Sequence, residues 1–390
     1  MKKWIFIAVL AFVNVNVTAQ SKALASVIDD DKMYGFINKK GEMVIPAKFE
    51  KTGNFSDGLA AAYDGDNWGY INPKGEWAIP PKFEHVKSFD TGVAIVEIEG
   101  KWEYINKSGE VLNIAKSEKL YDFHDGVAFF RKGDLVGLMN TKGEIIVEPK
   151  FKKITAFHNG YARFVSQSDQ WGIVDTKGNI VVEAKYDAIG SYVDQVAWVR
   201  NGEQLGLVSG DTYTKIDAVK IWDFASGENL TYAQKDELIG FMNKKGKWVI
   251  PPTFEKAKSF SKDLAPAYDG ENWGFVDRSG KYVIAPQYEN VDPFSADGLA
   301  AVKIDGEYGF IDTQGKLVIE AKYEISSGGG GKFGAFKAMV SNVLNMEQSK
   351  GFVNGLARVE HKGDFGFIDT AGNLLGNTWY RGANLFVNVE

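Results

Sequence analysis

The chain has 390 residues, 45 basic and 51 acidic side chains, a net charge of -6 and no cysteine. The charges are interspersed, so there is neither the basic stripe of a nucleic-acid binder nor an acidic tail. Without cysteine there is no disulfide framework and no thiolate zinc site, and stability has to come from burial.

Residues 1–19 read as a signal peptide. Lys2 and Lys3 give the positive start, residues 4–13 the apolar core, and Val17-Thr18-Ala19 a small-residue cleavage site. Asn14 and Asn16 interrupt the apolar run short of the roughly 20 residues that a membrane span needs. The expected mature protein is exported, to the periplasm, the cell surface or the medium, with no transmembrane segment.

Residues 20–375 are expected to form one array of about ten units of 34 residues. The anchors are Tyr34, Trp68, Trp102, Val136, Trp171, Leu205, Ile239, Trp273, Tyr308 and Phe365, and Gly follows in every case but one, where Glu103 stands. Each anchor opens a strand such as Trp68-Gly69-Tyr70-Ile71. A glycine seven residues on, for example Gly75 or Gly280, supplies the positive φ of a tight hairpin. A second strand follows, which Pro46, Pro80, Pro149, Pro251 and Pro286 are expected to close. An aromatic stands fifteen after most anchors (Phe49, Phe83, Phe151, Tyr186, Phe254, Tyr288, Tyr323). A third strand, such as Leu299-Ala300, runs back into the next anchor. Strands of about five residues with turns every eight to twelve predict an all-β chain. Many strands are apolar on both faces, so each three-stranded antiparallel unit must stack on its neighbours.

The unit is similar to the WG (KWG) repeat of bacterial exported proteins. The residues that carry the resemblance are Trp68-Gly69-Tyr70-Ile71-Asn72, Gly75, Ile79-Pro80 and Phe83, with Trp171-Gly172 and Trp273-Gly274. It spans about residues 27–375 and implies a β-rich repeat without catalytic residues.

Three departures stand out. The sixth unit, from Leu205, has Asp211-Thr212 where the turn glycine belongs and is expected to be the least regular. The segment Ala62-Tyr63-Asp64-Gly65-Asp66-Asn67-Trp68 returns as Ala267-Tyr268-Asp269-Gly270-Glu271-Asn272-Trp273, which suggests a block duplication. An insertion near residues 326–350 opens with Gly328-Gly329-Gly330-Gly331. It continues with Phe333, Phe336, Val340, Val343 and Leu344 at helical spacing, which predicts a short amphipathic helix over 333–348. Residues 376–390 form a closing segment. Because closed propellers use four to eight blades, ten units point to an open curved solenoid, with a closed propeller-like ring as the alternative.

Candidate chemistry is sparse. His124 and His158 occupy one position in adjacent units, where a shared ligand competes with an exposed turn. Asp64-Gly65-Asp66 and Asp269-Gly270-Glu271 lack the remaining ligands of a calcium loop and read as hairpin turns. No catalytic residue, metal or cofactor is called for. The expected function is a non-enzymatic exported scaffold that binds a protein partner in the cell envelope, with Phe333, Phe336, Val340, Val343 and Leu344 as its contact residues. The alternative is a carbohydrate or cell-wall binder using Trp77, Trp222 and Trp248. A hydrolase with dispersed acidic residues ranks last.

Overall fold

A computed structural model describes residues 23–114, 117–325 and 351–389. These residues form ten small antiparallel sheets and one three-residue helical turn.

The second sheet shows the plan. Its strands are Lys51–Thr52, Ala60–Tyr63, Trp68–Ile71 and Trp77–Phe83, hydrogen-bonded in that order. The three predicted strands are present, and a short first strand of two residues precedes them. That short strand begins two residues after the preceding Trp-Gly unit's aromatic, so the sheet takes its first two strands from the end of one sequence unit and the rest from the next. Proline was expected to close the fourth strand but lies inside it. Pro80 and Pro81 sit at a bulge, where the register shifts between Trp68↔Phe83 and Tyr70↔Ile79. A proline is tolerated there because the bulge leaves no ladder bond for it to donate.

The same bulge explains the glycine of Trp-Gly. A Cβ on Gly69 would lie 2.6 Å from the Ile79 carbonyl oxygen and 2.8 Å from Pro81 N. Gly274 meets Ile284 O at 2.6 Å and Pro286 N at 2.7 Å in the same way. The residue is therefore small to admit the next strand of its own sheet, not the neighbouring sheet. The turn glycine contacts the neighbour instead. Gly280 has φ +87°, and a Cβ there would come within 2.7 Å of Ile250 Cγ2 on the preceding sheet.

Apolar side chains alternate along each strand between the two flanking sheets. Leu59, Ala61, Tyr70, Ile79 and Phe83 of the second sheet pack on Phe89, Ala94, Val96 and Ile105 of the third. Every consecutive pair of sheets has such a cluster. A tenth cluster joins the last sheet to the first, with Phe365, Phe367 and Tyr380 against Ala25, Val27 and Ile37. The array is thus a ring.

Of the two arrangements open to ten units, the chain adopts the closed one rather than the favoured open solenoid, and its ends provide the reason. The strand Ala23–Ile28 pairs with Gly382–Ala383 and Val387–Asn388. Gly382–Ala383 takes the place that Lys51–Thr52 holds in the second sheet, so the C-terminus supplies the short strand missing from the first. The ring pair Phe367–Phe386, 4.7 Å apart, repeats Phe36–Phe55 at 4.9 Å. Leu24↔Val387 repeats the bridge Leu59↔Ser56, which in the second sheet lies within one hairpin. The first and last described segments therefore meet where an ordinary unit would turn. At this seam the turn of Gly41 rests on Gly376, which stands where Ile45 stands in the first sheet, and a Cβ on Gly41 would be 2.7 Å from Gly376 N.

Candidate functional site: the cleft beside the third sheet

The third sheet breaks the pattern, and its sequence shows why. It has three strands in the order Lys101–Asn106, Val93–Ile98, His85–Val86, so its anchor strand lies at an edge. Glu103 replaces the anchor glycine, so its Cβ occupies the space into which the following strand bulges in seven of the other sheets. Asn113 stands eleven after the anchor, where the second sheet has Ile79 at 1% exposure. A polar amide cannot replace that isoleucine in a buried interface without a partner. The chain instead slips by one residue. Leu112 N donates to Tyr104 O at 2.8 Å, Asn113 is exposed, and Ile114 packs beneath Gly143 as Ile79 packs beneath Gly109.

Fifteen residues after the anchor, where eight of the other units carry a buried Phe or Tyr, the third has Ser117. The Arg131 backbone N–H donates to its hydroxyl at 2.8 Å, so the side chain is turned away to the next sheet. The aromatic volume is left open. The result is a cleft of about 510 Å³ lined by Ile95, Trp102, Tyr104, Leu112, Ile114, Ser117 and Leu120, with Lys87, Glu103, Glu118 and Lys119 among the polar groups. The Trp102 indole beside it is 43% exposed, whereas its equivalent Trp273 is 9% exposed. Burial pushes the Tyr104 phenol up to about 12, so it is neutral at physiological pH. Its hydroxyl is already engaged, donating to Tyr121 O at 2.8 Å and accepting from Tyr121 N at 3.0 Å. The arrangement offers apolar and aromatic contact within a polar rim.

This site went unnamed in the sequence because Trp102 counted as one more core anchor. The signal was present in the conjunction of Glu103, Asn113 and Ser117 in one unit. The sixth unit, expected to be the least regular, keeps four strands, with Gln204–Ser209 paired to Thr212–Lys215 without a bulge. There Tyr213 lies over Gly206 and fills the space itself.

The other candidates are dispersed. Phe333, Phe336, Val340, Val343, Leu344 and the helix expected over 333–348 lie outside the described residues. The flanks of that insertion are placed: Glu324 pairs with Glu360, and Phe352 packs on Phe310 at 4.9 Å. Trp77 opens the fourth strand of the second sheet, exposed, with its edge against Phe49 at 5.7 Å. Trp248 opens the fourth strand of the seventh sheet, half-buried. Trp222 follows the short strand at that sheet's other edge, stacked on Tyr232 at 4.6 Å beneath the Lys220 ammonium. The three tryptophans do not meet.

His124 and His158 each stand in a turn, bridged to Val127 and Tyr161 respectively. The His124 Nδ1 lies 3.3 Å from Asp90 of the preceding sheet, and that hydrogen bond raises its pKa despite partial burial. The Asp-Gly turns hold their own backbone. Asp64 accepts from Asp66 N and Asn67 N at 2.9 and 2.8 Å, and Asp269 from Glu271 N and Asn272 N at 2.9 Å each. These bonds, with that from the residue three along the largest, keep both carboxyls below the usual range. Among the described residues no three His, Asp or Glu side chains gather to hold a metal ion, and no helix is long and apolar enough to cross a membrane.

A family model described as the WG containing repeat matches residues 34–68, 68–102, 104–135, 137–166, 171–204, 239–272, 273–308 and 308–324. No curated protein matches the chain. Among solved structures, a eukaryotic initiation factor is similar at 11% identity and a TM-score of 0.43, covering 76% of this chain and 95% of that one. BamB from Moraxella catarrhalis is similar at 12% identity and 0.29, covering 66% and 91%. PorZ, a surface component of the type-IX secretion system of Porphyromonas gingivalis, is similar at 9% identity and 0.24, covering 90% and 56%.

Proposed function

The chain belongs to the WG-repeat family, and from that premise we propose that it is a non-enzymatic, exported binding protein whose ring presents a site to a protein partner of the cell envelope. The observation that carries this reading is the cleft of the third sheet. It is a concave, largely apolar site with a few polar groups at its rim, which is the make-up of binding pockets. Its volume falls within the range of roughly 300–1,000 Å³ that such pockets span. The ionisable groups with displaced pKa values elsewhere also support the reading. They are tied to turns and to inter-sheet contacts, as with Asp64, Asp269 and His124, and not arranged as an acid and a base across a cleft. Export rests on the leader-like residues 1–19 and belongs to the same proposal.

The test is capture from an envelope extract with the chain from residue 20, alongside the same chain lacking residues 328–348. A discrete protein retained by the intact chain supports the reading, and its loss in the shortened chain assigns the insertion as a contact. Retention of glycan and no protein overturns it in favour of a carbohydrate-binding role.

A further inference from the structure

An acidic half and a basic half stand at one end of the ring. In an antiparallel meander of four strands the first and third hairpins lie at the same end. Contacts between sheets agree: Lys107 and Lys244, each in the turn after an anchor strand, pair with Asp57 and Asp194 in the first hairpin of the preceding sheet at 2.7 and 3.1 Å. The residue eight after the anchor belongs to that turn. In the first four sheets it is Glu42, Glu76, Glu110 and Glu144, and in the seventh to ninth it is Lys247, Lys281 and Lys316. In the other three it is uncharged: Asn179 in the fifth, Tyr213 in the sixth and Asn373 in the tenth. All are exposed. An asparagine donates to each glutamate across its turn, as Asn72 does to Glu76 at 2.9 Å, which leaves the charge in place. Among the described residues Lys247, Lys281 and Lys316 make no ion pair.

We infer that this end of the ring is the docking surface for a second copy of the chain, laid face to face about a two-fold axis through the fifth and tenth sheets. In a closed ring of ten sheets those two are diametrically opposed. Turning a copy over about that axis sets the first sheet on the ninth, the second on the eighth and the third on the seventh. Glu42 then meets Lys316, Glu76 meets Lys281 and Glu110 meets Lys247, and the symmetry makes each pair twice. On the axis itself stand Asn179 and Asn373, each facing its own copy, where a charge would repel itself. Two residues nearer the turn tip the same axis sets Lys40, Lys74 and Lys245 against Gln314, Ser279 and Ser108, and Lys142 against Asp211. Lys177 meets its own copy, and Lys107 meets Lys244, but these last two are already paired with Asp57 and Asp194 of their own rings. Shifting the axis by half a sheet keeps three Glu–Lys pairs but sets Lys142 against Lys245. Exposed apolar residues open the fourth strands beside these charges. Met43 and Val44 come opposite Leu317 and Val318, and Trp77 opposite Val283. Charge fixes the orientation, and apolar contact supplies the association.

The test is the mass in solution of the chain from residue 20, which keeps every described residue, measured by sedimentation velocity across a dilution series. The native chain is expected to be a dimer that dissociates on dilution. Two variants each reverse one half: Glu42→Lys, Glu76→Lys and Glu110→Lys together, and Lys247→Glu, Lys281→Glu and Lys316→Glu together. Each alone should weaken the dimer by about a hundredfold or more, because like charges then face each other across the interface. Mixed in equal amounts the two variants are complementary again and should form a mixed dimer. Within one chain, Lys247→Glu should restore the dimer weakened by Glu110→Lys, and Lys281→Glu should not. Circular dichroism and melting temperature show that each variant keeps the ring. A native chain that is monomeric throughout overturns the inference whether or not the variants fold. A dimer that persists unchanged in both folded variants, or folded variants that stay monomeric when mixed, also overturns it. Rescue by Lys281→Glu in place of Lys247→Glu overturns the axis. The inference stands apart from the partner reading above, because none of these outcomes bears on the capture of a foreign protein.

Discussion

Replacing Gly274 by alanine tests why the repeat requires Trp-Gly. Gly274 is not among the positive-φ residues, so alanine carries no backbone strain there. Its Cβ would meet Ile284 O at 2.6 Å, Pro286 N at 2.7 Å and Ala285 C at 2.9 Å, all backbone atoms of the strand that bulges toward it. No rotamer change relieves such contacts, so the strand must move. Overpacking of this kind costs typically 1–3 kcal/mol, and the absence of a flexible neighbour puts the expected value near the top of that range, about 3 kcal/mol. Gly298→Ala is the control. It has φ +80° and nothing within 4 Å of its Cβ, so only the left-handed backbone matters, at roughly 1 kcal/mol. Urea unfolding followed by tryptophan fluorescence should show a clearly larger drop in midpoint for Gly274→Ala than for Gly298→Ala, with slopes unchanged. If Gly274→Ala proves as mild as Gly298→Ala, the close-approach explanation of the motif is wrong, and with it the account of why Glu103 leaves the third sheet one strand short.

Three further outcomes follow from the same structure. Phe241 is fully buried between the rings of Phe254 and Phe260, at 6.5 and 4.7 Å, so Phe241→Ala should cost about 3–5 kcal/mol in urea unfolding. His124 has its pKa raised by Asp90, with smaller help from Asp122 and Asp125. A raised folded-state value means that the pair's contribution is complete below the ordinary value of 6.5 and is lost as pH rises through the folded value. The melting-temperature difference between the native chain and His124→Ala should therefore be larger in mildly acidic than in alkaline buffer. Asp269 behaves in the opposite sense. Its folded pKa is depressed below 3.8, so its turn's contribution is present above that value and lost as pH falls through the folded one. Asp269→Ala should melt lower than the native chain at neutral pH and alike in strong acid.

Much of the architecture was legible in the residues. The 34-residue rhythm, the turn glycines and the two-faced strands required stacked all-β units, because no sheet apolar on both faces can stand alone. The short first strand was not legible, since two residues such as Lys51–Thr52 carry no periodicity. Closure was not legible either. It depends on Gly382–Ala383 and Val387–Asn388 meeting a strand more than 350 residues earlier, and the propeller size range argued against it. The cleft was half-legible. Glu103 was visible as the exception to Trp-Gly, but its effect required knowing that the glycine faces the bulge of its own sheet. The tryptophans chosen for a glycan site illustrate the converse: Trp77, Trp222 and Trp248 share conspicuous chemistry but lie on two sheets, two of them at a fourth strand and one beside a first strand.

The central claim is that the chain closes on itself through its two ends, and a single engineered bond tests it. Val27 and Ala383 are Cα partners in the seam, and directly opposed residues in antiparallel strands lie about 4.5–5.5 Å apart, within reach of a disulfide. The chain has no cysteine of its own to compete. The variant Val27→Cys with Ala383→Cys, oxidised at low concentration, should form one intramolecular disulfide, seen as a loss of two free thiols by mass spectrometry in a monomer and as a higher melting temperature that reductant removes. Free thiols persisting in the folded monomer, or cross-links formed only between molecules, would contradict the closed ring.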